Sequence, residues 1–113
     1  MASTETADHY ICISIHESSS DAKNYAPLYE ERLTLIKASS KEHATTKAQQ
    51  IVKMASHSYQ NEDGQTISWT CRKIVEVTEI IDNALSDGAE IYGRYFRDFD
   101  AYEQFETERK QRV

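Results

Sequence analysis

Tyr59, Asn61, Glu62, Trp69, Glu90, Tyr92 and Arg94 are the residues whose types best suit chemistry at a surface. Together they offer planar stacking faces, carboxylate acceptors and a guanidinium fork, the groups enriched where proteins meet. If an extended strand over 66–80 pairs with another over 89–96, Glu90, Tyr92 and Arg94 project from one sheet face. The turn at 61–64 then lies near one end of it. The plainer reading is cross-strand pairing, with Glu90 or Glu76 bonded to Arg94 or Arg72 and tyrosines packed beside them. A small-ligand or catalytic site on the same residues is the third reading.

The usual catalytic arrangements are missing. Glu30 and Glu31 are adjacent on an expected strand, so they face opposite sides and cannot share acid/base work. His9, His16, His43 and His57 have neither His-x-x-x-His nor His-Glu-x-x-His spacing, so the sequence predicts no metal site. His57 follows the main helix, where its ring can meet the last carbonyls. Gly-x-Ser-x-Gly is absent, and three glycines leave no loop to cradle a phosphate. Cys71 falls on the core side of its strand, a place for an inert thiol. No cofactor is expected.

Thirteen basic against nineteen acidic residues leave a net charge of −6. That excess repels phosphate backbones and anionic membranes, so neither nucleic acid nor membrane is an expected partner. A basic protein would be steered toward the surface instead. Arg109, Lys110 and Arg112 are interleaved with Glu106 and Glu108 and read as a solvated helix end. Cys12 and Cys71 stand apart in strand-like patterns with no Cys-x-x-Cys motif, and the N-terminus carries no basic region followed by an apolar core. The expectation is reduced thiols in a cytoplasmic protein.

These residues need elements to hold them. The 113 residues suffice for one domain. Residues 1–8 read as a loose tail, 9–97 as an α+β domain and 98–113 as a C-terminal helix with a charged, fraying end. In 9–16, Ile11, Ile13 and Ile15 alternate with Tyr10, Cys12, Ser14 and His16, a strand with both faces partly covered. A loop spans 17–27. In the second strand, 28–38, Leu33 and Leu35 share a face with Glu31 and Lys37. Ser39 with Glu42 predicts a capping box. Ala44, Ala48, Ile51, Val52 and Ala55 then form one apolar stripe on a helix over 40–56 that can lie close to a sheet. A turn occupies 59–65, where Gly64 supplies positive φ.

The long strand over 66–80 places Ile67, Trp69, Cys71, Val75 and Val77 on a core face. Lys73 interrupts that face, which predicts a bulge. After a connection at 82–88 the fourth strand occupies 89–96. Asp98 can cap a last helix carrying Phe99, Tyr102 and Phe105. The order β-β-α-β-β-α predicts a two-layer fold. It has a four-stranded, mainly antiparallel sheet, one main helix on a face and a C-terminal helix.

Several short motifs occur in this order: Glu30-Glu31-Arg32 opening the second strand, Ser39-x-x-Glu42 with spaced alanines, Tyr59-x-Asn61-Glu62-x-Gly64-Gln65, Trp69, and Asp87-Gly88-x-Glu90-Ile91-Tyr92-x-Arg94. The ordered set resembles a small family of bacterial proteins catalogued as domain of unknown function 4288, over roughly residues 8–96. That resemblance implies a fold and no chemistry.

The expectation is therefore a small acidic, non-catalytic interaction module, such as an inhibitor or immunity-type protein that occupies a basic partner. The Glu90, Tyr92, Arg94 face as a ligand or enzyme site is one alternative. The other is a homodimeric structural subunit. Phe96, Phe99, Tyr102 and Phe105 either fold back with the fourth strand as an aromatic mini-core or form that dimer surface.

Overall fold

The computed structural model describes residues 8–111. Its elements are β1 (Asp8–Ser20), β2 (Tyr29–Ala38), α1 (Lys41–Met54), β3 (His57–Gln60), β4 (Thr66–Glu79) and α2 (Phe99–Gln111). The four strands form one antiparallel sheet in the order β2-β1-β4-β3. The α+β order β-β-α-β-β-α therefore holds, but a different segment completes it. The strand that completes the sheet is β3, His57–Gln60, within and before the expected 59–65 turn, and not 89–96, which has no ladder. The tail expected over 1–8 lies outside the described residues, except Asp8, which opens β1.

β1 is a central strand, and its alternation explains its place. Tyr10, Cys12, Ser14, His16 and Ser18 face one side and are all buried; Ile11 and Ile13 face the other and are buried too. β1 runs on to Ser20, so the connection to β2 is shorter than the sequence suggested. Ser18 tightens it: its hydroxyl accepts from the Leu28 amide at 2.9 Å and bonds Tyr25 Oη at 2.7 Å.

α1 covers the even-numbered side of β1. Ala44, Ala48 and Val52 are its buried residues, against Tyr10, Cys12, Ile36, Ala38 and Val77. The cap is Ser40 rather than Ser39: Ser40 Oγ accepts from the His43 amide at 3.1 Å. Ser39 instead donates its amide to His43 Nδ1 at 3.3 Å. Alanine at two turns of the stripe lets the helix backbone approach the sheet, where Ile36 and Tyr10 supply the bulk.

β4 keeps its expected phase at both ends and breaks it in the middle. Ile67 and Val77 are buried, and Trp69 and Cys71 are half-buried. Between them the pairing with β1 shifts twice. Ile13 pairs Glu76 while Ser14 pairs Ile74, and Ile15 pairs Lys73 while His16 pairs Cys71. Val75 and Arg72 are the extra residues. Each bulge reverses the facing of the residues beyond it, so Ile74 turns to the α1 side and Lys73 stays off the core. Two reversals restore the original phase at Cys71.

Residues 80–96 cross the opposite side of the sheet. The Ile80 amide bonds the His9 carbonyl at 2.9 Å, and Tyr92 Oη donates to Glu76, the neighbour of Ile13, at 3.0 Å. The chain then leaves the sheet. Asp98 caps α2 as expected, accepting from the Ala101 amide at 3.0 Å. α2 stays helical through Gln111, so the charged end is not frayed there. No Cα of this arm comes within 8 Å of a strand or of α1 among the described residues. The aromatic mini-core shrinks to one stack, Phe96 on Tyr102 with centroids 5.0 Å apart. The consequence is an open shape. The radius of gyration is 17.6 Å, where about 13 Å suits a compact chain of this length. The accessible surface is 8625 Å², against about 6,300 Å² for a compact 13.0 kDa monomer.

Candidate functional site

The residues expected to form one surface separate into two groups. Tyr59, Asn61, Glu62 and Trp69 belong to the β3–β4 hairpin, on or beside the edge of the sheet. Glu90, Tyr92 and Arg94 lie on the segment that crosses the opposite face. Asn61 is occupied locally: Oδ1 accepts from the Asp63 and Gln65 amides, both at 3.0 Å, and Nδ2 donates to Gln65 Oε1 at 3.0 Å. It builds the turn that Gly64, at φ 77°, completes. Asn61→Ala should lower stability by about 1 kcal/mol in urea unfolding. The Glu90 amide donates to Asp82 Oδ2 at 2.7 Å, which pins a loop. Arg72 pairs with Glu17 at 2.7 Å instead of with a glutamate on 89–96. That bond holds the Glu17 carboxyl below its usual range.

Two features that the residue pattern alone did not single out are better built. One is the polar row on β1. Ser14, His16 and Ser18 are no more than 2% exposed, yet they sit mid-sheet. Ser14 Oγ lies 2.8 Å from His16 Nε2. His16 is flanked by Glu30 on β2 and Cys71 on β4, and Ser14 by Arg32 and Ile74. Burial pushes the His16 pKa down; the Arg32 charge adds to this and Glu30 opposes it. A serine–histidine pair is the arrangement that activates a nucleophile. Here both members are sealed, and the pair satisfies polar atoms in the core. The sequence carried a signal: serine and histidine at even positions of a strand covered on both faces must find partners inside.

The other is a groove of about 860 Å³ beside this row. Trp69 and His57 form one wall, Glu30 and Arg32 another, and Phe105 with Arg109 of α2 the third. His57 Nδ1 bonds the carbonyl of Ala55, the helix C-cap, at 3.1 Å, as its position predicted, and its ring stacks on Tyr59. Each arginine is already engaged: Arg32 meets Glu30 at 2.7 Å and Arg109 meets Glu106 at 2.8 Å. Cys12 and Cys71 are both free thiols, and burial raises the Cys12 pKa. No three His, Cys, Asp or Glu side chains converge among the described residues. None of the described helices is long and apolar enough to cross a membrane.

The family described as Domain of unknown function (DUF4288) matches residues 9–93. The chain belongs to this family. The DUF4288 match takes in the sheet from His9 onward and α1, and stops short of α2. The arm thus lies beyond the part of the chain that the family defines. No curated protein matches the chain. No solved structure matches it either.

Proposed function

We propose that this protein is a non-catalytic interaction module of the cytoplasm, and that its working surface is the C-terminal arm. The observation that carries the reading is the aromatic row of Phe96, just before α2, and Phe99, Tyr102 and Phe105 on it, between 41% and 59% exposed, on a helix with no Cα within 8 Å of another described element. Phe99, Tyr102 and Phe105 recur every third residue, so they share one side of α2. Such a helix suits the mode in which an apolar face lies in a partner's groove. Asp100, Glu103 and Glu108 lie on the same helix, where Glu106 is paired with Arg109, and the chain carries −6 overall. A partner groove with a basic rim complements both features. The sealed Ser14–His16 pair and the mutually paired charges of the groove fit a binding role better than a catalytic one. The free thiols suit a reducing compartment.

The test is capture of partners from the native host at low ionic strength with the full-length chain. A basic protein should be retained, released by about 0.5 M salt, and lost when Phe99→Ser and Phe105→Ser are combined. Retention of nothing that depends on those two side chains rejects the reading.

A further inference from the structure

We propose that a second copy of this chain pairs with the β2 edge, extending the two sheets into one across a two-fold axis at Thr34. β2 is an outer strand of the sheet. Its outward groups can be identified. The Ser18 amide points to the β2 side, where it bonds Leu28 O, and the His9 carbonyl points to the β4 side, where it receives Ile80 N. Even residues of β1 therefore bond β2, and their partners Glu30, Arg32, Thr34 and Ile36 are the even residues of β2. The amides and carbonyls of Glu31, Leu33, Leu35 and Lys37 face outward. Among the described residues, only the Lys37 carbonyl has a partner there, the Lys47 ammonium.

Two copies of an edge strand meeting antiparallel about a two-fold must oppose residues of equal parity, so that each sheet face stays continuous. Centred on Thr34, Leu33 faces Leu35 of the other copy and Glu31 faces Lys37, each twice. All four are outward-bonding pairs. Centring on Leu33 would set Glu31 against Leu35; centring on Leu35 would set Leu33 against Lys37. Only the Thr34 register joins apolar to apolar and acid to base. Charges on an edge strand commonly prevent such pairing. Here their signs and spacing are complementary to themselves, which favours it. Leu33 and Leu35 are 52% and 53% exposed and gain cover in the pair. α2 borders the first residues of β2 across the groove.

Sedimentation equilibrium from about 1 to about 200 µM tests the proposal on the full-length chain. The wild type should dimerise. Glu31→Lys and Lys37→Glu should each raise the dissociation constant about tenfold, by setting like charges opposite one another twice. The double reversal should restore it to within about threefold. Leu35→Pro removes an outward amide, leaves the β1 ladder intact, and should give a monomer. The Phe99→Ser, Phe105→Ser chain should still dimerise, which separates this interface from the arm. A monomeric wild type, a dimer indifferent to the single reversals, a double reversal that fails to recover, or a dimer lost with the arm aromatics would each overturn the proposal.

Discussion

Ile36→Ala should lower the unfolding free energy by about 4 kcal/mol, near the top of the range for buried isoleucine truncations. Ile36 is 1% exposed and is the largest fully buried side chain among the described residues. It lies on the α1 side of β2, in the cluster that holds Ala44, Ala48 and Val52. The cost of such a truncation depends on how far the surroundings collapse into the space. Alanines cannot reach into it, and Ser40 fixes the start of α1, so little collapse is available. A domain of this size is stable by about 5–15 kcal/mol, so much of the total would go. The midpoint of thermal unfolding should fall by roughly 15 °C or more. Met54→Ala, at the exposed end of the same helix, is the control and should change stability by less than about 0.5 kcal/mol. A loss under about 1.5 kcal/mol for Ile36→Ala would mean that α1 does not close this core.

That core was legible because its signals are periodic. Isoleucines at every second position marked β1, and alanines at helical spacing marked α1 and the side that faces the sheet. β4 was legible at both ends for the same reason. Its centre was not fully readable, because a bulge changes phase without changing composition. Only Lys73 in an apolar row hinted at one. β3 was not legible because His57–Gln60 is four exposed residues whose only claim to be a strand is a hydrogen-bonded neighbour. Residues 89–96 misled in the opposite sense. Ile91, Gly93 and Tyr95 alternate as in a strand, but Ile91 and Tyr95 stay exposed and Tyr92 is the side chain held against the sheet, so the alternation marks neither a ladder nor a buried face. The expected site fell with that strand. Glu90, Tyr92 and Arg94 were to meet the hairpin residues across a pairing that the chain uses elsewhere.

His16 should make the fold acid-sensitive at a pH where its carboxylates are still ionised. Free histidine titrates near 6.5, and burial holds His16 below that. Between the two values the unfolded chain binds a proton that the folded chain refuses. Stability then rises with pH across the window, because the unfolded state carries the extra proton. The contribution is complete above about pH 7.5. It is lost as pH falls through 6.5, by at most about 1.4 kcal/mol per pH unit, until the folded value is reached. Glu17 and Glu106, whose carboxyls are lowered by Arg72 and Arg109, lose their contributions in the same direction but only from about pH 4.5 downward. The two windows are separate, so urea unfolding at about pH 5.5, 6.5 and 7.5 isolates the histidine. The wild type should lose stability from the highest to the lowest of these, by no more than about 1.4 kcal/mol. His16→Gln keeps a hydrogen-bonding side chain beside Ser14 and cannot take up the proton. Whatever its absolute stability, its curve should be flatter than that of the wild type over this range. Parallel curves for the two proteins would show that His16 accepts a proton in the folded sheet as readily as in water, and the row from Ser14 to Ser18 would then be open rather than sealed.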